Sequence, residues 1–147
     1  MQEPNLIMNY VAILVAVVAC QVFGFLWYGP LVGKTWLRLM KIPTDFKPSS
    51  AEMGRSIAMD VLGTLLTVYV LAHDVQVWRP SAWNAGTDAP AYIYGFFAGF
   101  FIWLGFYAPT HMSSVAWERR PWALAGINAT YTFIKLQMIA QILSHWR

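Results

Sequence analysis

Apolar residues run along this chain in four long blocks, at about residues 6–28, 56–74, 92–117 and 122–144, with charge gathered between them. Each block is long enough, or nearly so, to cross a bilayer as helix, which takes roughly 20 apolar residues. Ala12, Ala16, Cys20 and Gly24 recur at four-residue steps in the first block, and Gly95 and Gly99 stand four apart at the start of the third. Such small-residue rows let a second helix approach closely. The pattern predicts an all-α integral membrane protein: four transmembrane helices in one bundle, a single domain over residues 1–147.

The breaks between the blocks carry their own signals. Trp27-Tyr28-Gly29-Pro30 closes the first block with aromatic anchors and then a Gly-Pro break. In Gly33–Lys41, the cations Lys34, Arg38 and Lys41 share one helical face, with Trp36, Leu37 and Met40 on the other. This predicts a short amphipathic helix lying in the interface, with Lys34, Trp36, Arg38 and Lys41 against lipid. Ser49 and Glu52 have capping-box spacing, so the second helix is expected to start before the bilayer. Pro109 removes a backbone donor inside the third block, where a kink is expected. Val75–Ala91 has the length of a small cap but not of a domain.

Composition strengthens the membrane reading. Of 147 residues, 58% are hydrophobic and only 12% charged, about half the charge of a typical soluble domain. Cys20 is the only cysteine, which excludes an intrachain disulfide. The net charge of +3 is placed in a way that argues against a nucleic-acid partner. Lys34, Arg38, Lys41, Lys47, Arg55, Arg119 and Arg120 lie in loops 29–55 and 118–121, whereas the other side holds Arg79 and Arg147. The positive-inside rule puts both basic loops in the cytoplasm and both termini outside. The expected location is the bacterial cytoplasmic membrane.

Polar residues inside the blocks are the candidate chemistry, because lipid tolerates them only when they are paired. Counted from the cytoplasmic boundary, Gln21, Asp60, His111 and Asn128 all fall at a depth of roughly 7–12 Å. One polar residue from each helix thus occupies a common layer, either a pocket with Asp60 and His111 as its titratable pair or hydrogen-bonded glue between helices. Lys135 lies deeper, about 22 Å from the same side. Snorkelling outward, its ammonium would meet Asp74, an expected ion pair near the outer face. The three histidines have no metal-ligand spacing, and no nucleophile–base pair, phosphate loop or paired carboxylate site is present. No enzyme activity, metal or cofactor is expected.

Trp27-Tyr28-Gly29-Pro30-Leu31 followed by Gly33-Lys34-x-Trp36, then Gly99-x-x-x-Trp103-Leu104-Gly105-Phe106, Arg120-Pro121-Trp122 and Ile127-Asn128, form a distinctive series. Together they resemble the bacterial membrane family catalogued as domain of unknown function 1761, over nearly the whole chain and least in Lys47–Ala91. The resemblance implies a small helical membrane protein without an assigned activity, and it brings no catalytic residues with it. Two functions remain as expectations. One is a structural or interaction protein, either a homo-oligomer or an accessory subunit of a membrane complex, with lipid and other membrane proteins as partners. The alternative is a small-solute, ion or proton channel or transporter that uses the polar layer.

Overall fold

The structure, a computed structural model, describes residues 3–43 and 45–146. All regular elements among them are helical, and they join into four long rods. Asn9 starts the first. Its Oδ1 accepts the N–H groups of Val11 and Ala12, each at 3.0 Å, and so caps helix α1 (Tyr10–Leu26). The rod therefore begins at Tyr10 rather than Leu6. Gly29-Pro30 does not end it. Trp27–Leu31 forms a π turn, closed by the N–H of Val32 on Trp27 O at 2.9 Å, and this wider turn accommodates Pro30. The break comes at Val32, which leads into α2 (Gly33–Leu39). A Cβ on Gly33 would fall 2.5 Å from Tyr28 O, so only glycine fits where the backbone doubles back.

Helix α3 (Ser50–Val77) opens with the expected capping box. Ser49 Oγ accepts the N–H of Glu52, and the Glu52 carboxylate accepts the N–H of Ser49 at 2.9 Å. The third rod is α4 (Ala91–Ile102), a π turn (Trp103–Tyr107) and α5 (Ala108–Ala116). The distortion expected at Pro109 is this π turn, in which Ala108 N–H reaches back to Trp103 O just before the proline. After the turn at 117–121, α6 runs from Trp122 to His145.

Three rods, Tyr10–Leu31, Ser50–Val77 and Ala91–Ala116, are long and apolar enough to cross a membrane. The fourth, α6, does not meet that standard, so the expected four transmembrane helices are three by length and composition among the described residues. Its 24 residues are ample in length. It is too polar because it carries Asn128, Thr130, Thr132, Lys135, Gln137, Gln141 and Ser144. Its position gives the physical reason, since α6 packs against α1, α3, α4 and α5.

Contacts fix the directions. Thr64 meets Lys135 and Arg79 meets Ser144, so α3 and α6 run parallel. Trp103 meets Ala129 and Tyr92 meets Gln141, so α4 is antiparallel to α6. Gly24 meets Tyr131 and Tyr28 meets Asn128, so α1 is antiparallel as well. The core lies where these rods cross. Ala12, Ala16 and Cys20 of α1, Val68, Leu71 and Val75 of α3, and Leu136, Ile139 and Ala140 of α6 are all buried.

Glycines at the α4–α6 crossing let the two backbones nearly touch. A Cβ on Gly95 would lie 2.7 Å from Ser144 Oγ, and one on Gly99 would lie 2.9 Å from Gln137 Nε2 and 3.2 Å from Leu136 O. The segment after α3 is an ordered cap at the end opposite α2, built on a 3-10 turn (Pro80–Trp83). Buried Arg79 pairs there with Asp88 at 3.4 Å and donates to Ser144 O at 2.6 Å, with its guanidinium 4.9 Å from the centre of the Tyr94 ring. Outside the core, large apolar side chains such as Leu14, Phe25, Met59, Leu66, Phe101 and Phe106 stand exposed along all three apolar rods.

Candidate functional site: a polar seam along helix α6

The polar face of α6 meets a different neighbour at nearly every turn. Near its start, Tyr28 of the first π turn donates its hydroxyl to Asn128 Oδ1 at 3.0 Å. One turn on, Trp103 of the second π turn donates its indole N–H to Ala129 O at 2.9 Å and lies 3.3 Å from Thr132 Oγ1. His111 Nε2 approaches the same Thr132 hydroxyl at 3.1 Å. Both π turns therefore aim an aromatic hydrogen-bond group at one short stretch of α6. Tyr131 fills the space between, stacked on Phe23 with centroids 5.4 Å apart and edge-on to Tyr28 at 4.8 Å. Its hydroxyl would lie 2.9 Å from a Cβ on Gly24, so that glycine is what lets α1 pass over the tyrosine.

Midway along α6 the bonds link into a chain. Lys135 Nζ donates to Thr64 Oγ1 at 2.8 Å. Gln21 Nε2 donates to Asp60 Oδ2 at 3.0 Å and reaches Thr64 Oγ1 at 3.4 Å. Thr64 is fully buried and spends both hydroxyl lone pairs as an acceptor. The ammonium of Lys135 also lies 5.7 Å from the Tyr131 ring centre, within cation–π range. The result is a cation and a carboxylate joined through one hydroxyl and one amide, across α6, α3 and α1.

Lys135 does not reach Asp74, and among the described residues no ion pair joins them. Helical side chains lean toward their own N-terminus. The N-terminus of α6 lies at the α2 end, so Lys135 leans toward Thr64 and away from Asp74 near the far end of α3. Asp74 instead accepts the indole N–H of Trp78, just past the end of its own helix, at 3.3 Å. Of the four residues of equal depth, Gln21 and Asp60 meet, whereas Asn128 bonds Tyr28 and His111 meets Thr132. Direction around the rods keeps these last two from the Gln21–Asp60 pair.

The surface cavities lie elsewhere. One of about 540 Å³ opens between α3 and α4, walled by Ile93, Phe97 and Phe101 among others, with Asp74 and Trp78 at one end. A second of about 350 Å³ continues past Ile102 and Phe106 to Leu66, Thr67 and Tyr107. Neither is lined by Gln21, Asp60, His111 or Asn128. No group of three or more His, Cys, Asp or Glu among the described residues could hold a metal ion.

Sequence reasoning passed over Tyr28, Trp103, Tyr131 and Arg79 as site residues. Tyr28 was read as an interface anchor and, like Trp103, as part of the motif series, and folding brings parts of that series close together: Tyr28 meets Asn128, Trp103 meets Ala129 next to it, and Arg120 meets Met40 beside α2. The family model described as "Protein of unknown function (DUF1761)" matches residues 11–144. The chain belongs to that family. No curated protein and no solved structure matches it. The matched segment takes in the whole polar seam, from Gln21 to Ser144.

Proposed function

We propose that this DUF1761 member is a four-span protein of the bacterial cytoplasmic membrane that works by assembly, as a homo-oligomer or an accessory subunit of a membrane complex, and not by catalysis. The observation that carries the reading is the fate of the polar residues. They are used in bonds between helices, while the large apolar side chains face outward. Exposed apolar surface on this scale marks a membrane or partner-binding surface. Helix α6 serves as the fourth span because its polar groups meet protein: Gln137 and Gln141 donate to Phe96 O and Tyr92 O, each at 3.2 Å. The basic loops 29–55 and 118–121 support an orientation with the α2 end in the cytoplasm and both termini outside.

One observation favours the transport alternative. The Lys135–Thr64–Gln21–Asp60 chain leads from the buried middle of the bundle to an exposed carboxylate, the form a proton path takes. A single experiment weighs the two readings. The purified protein is examined by native mass spectrometry in several detergents and by ion and proton flux in liposomes. Assembly predicts masses at multiples of 16.7 kDa or a co-purifying membrane subunit, and equal flux for wild type and Asp60→Asn. A solitary monomer whose proton flux disappears in Asp60→Asn would move the assignment to transport.

A further inference from the structure

Lys34, Thr35, Arg38, Lys41, Ile42 and Pro43 line a cavity of about 530 Å³ on the outer side of α2. Three of the six are cations and none is an acid. Among the described residues, none of the three cations takes part in an ion pair. The opposite side of α2 is pinned, with Trp36 edge-on to Tyr28 at 5.5 Å and Met40 Sδ accepting from Arg120 Nη1 at 3.3 Å. The basic face is thus held in place.

The backbone shapes the cavity. Lys41 sits at φ 58°, a left-handed conformation that residues with a Cβ resist. That reversal brings Ile42 N–H onto Leu37 O at 3.0 Å and folds Ile42 and Pro43 back as a wall of the cavity. Three cations without an acidic partner among the described residues call for an anion from outside.

We propose that this cavity binds the phosphates of an acidic membrane lipid, and specifically a headgroup carrying two phosphates. A soluble phosphate shares the chemistry, but the position favours lipid. Trp36, on the other face of α2, and its ring partner Tyr28 are of the type that anchors at the membrane boundary. Basic pockets at the ends of membrane helices take such headgroups. Two phosphates also balance three cations better than one does. The inference rests on the membrane reading above.

The test uses the full chain, delipidated in neutral detergent and titrated with diphosphatidylglycerol, phosphatidylglycerol, phosphatidylcholine or inorganic phosphate, with binding followed by native mass spectrometry. The two-phosphate lipid is expected to bind most tightly and phosphatidylcholine not at all. Lys34→Gln and Arg38→Gln should each weaken it by roughly fivefold, the value of one cation near a charged surface. Lys41→Gly removes a cation and relieves the strained backbone together. It should melt no lower than wild type and still bind roughly fivefold more weakly. Wild-type binding by Lys41→Gly, or no preference among the lipids, overturns the site. Inorganic phosphate that saturates the cavity and displaces lipid overturns the lipid assignment. Alkaline extraction of cell membranes scores integration separately, so a protein that resists extraction but lacks the preference refutes the site alone.

Discussion

Between Asn128 and Ser144, α6 sets Thr132, Lys135, Gln137 and Gln141 against neighbours that bond each of them. Between Ser50 and Asp60, α3 sets Glu52, Arg55 and Ser56 in the open, and every residue of that stretch is exposed. Both segments are polar beside the apolar rods, and on the membrane reading for opposite reasons. The 28 residues of α3 extend about 42 Å at helical rise, well beyond a hydrocarbon core of about 30 Å. The surplus turns, capped by Ser49 and Glu52, belong in water. Helix α6 has no comparable surplus, and its polar residues belong to the protein interior. Polarity read along the sequence does not show which of the two segments is open and which is bonded; the contacts do.

The largest expected effect contrasts glycines on the two segments. Gly99→Leu forces a side chain into Gln137 and the α6 backbone. It should destabilise the protein by about 3 kcal/mol, as overpacking of a close crossing does, measured by denaturation in detergent. Gly54→Leu, on the open part of α3, meets nothing within 4 Å. It should stabilise the helix by about 0.5–1 kcal/mol through propensity alone. Equal losses at the two sites would erase the contrast.

A smaller effect concerns the buried chain of bonds. Thr64→Val strands the Lys135 ammonium and should cost about 1–2 kcal/mol, near the upper end for polar contacts between membrane helices. In a Lys135→Met background the same change should cost almost nothing. Lys135→Met and Asp74→Asn should be strictly additive, because the two residues do not meet; a coupling between them in the same double-mutant cycle would restore the outer ion pair. The smallest effect is expected for Tyr28→Phe, which removes one hydrogen bond to Asn128 and keeps the ring contacts. Its cost should be about 0.5–1 kcal/mol, and a value near zero would mean that the π turn holds its place by ring packing alone.

Much of the frame was legible because it depends on local chemistry. Ser49 and Glu52 announce a helix start whatever surrounds them. The Ala12–Ala16–Cys20–Gly24 row marks the face of α1 that meets the bundle, since small residues serve close approach and little else. The α2 helix follows from its two-faced pattern. What was not legible depends on direction around a helix. Counting residues gives depth, so Gln21, Asp60, His111 and Asn128 looked like one layer, yet they face three different neighbours. Counting also overlooks the backward lean of helical side chains, which is why Lys135 finds Thr64. Arg79 looked like one charge in a loop because nothing local shows that Asp88, Ser144 and Tyr94 converge on it. The two π turns were signalled only by nearby prolines, which mark a distortion without naming its form.

The dependence of α6 on its neighbours has a consequence for biogenesis. The partners that its polar side chains find on other elements lie earlier in the chain: Tyr28 on the first rod, Thr64 on the second, Tyr92, Phe96, Trp103 and His111 on the third. A ribosome delivers α6 only after those partners have left its exit tunnel. Alone in lipid, the helix would carry an unpaired ammonium and several amides. Beside three helices already inserted, it enters a slot prepared for it. In the proposed four-span arrangement the order of the chain is also an order of assembly, in which α6, the least lipid-compatible helix, arrives last and locks the others together.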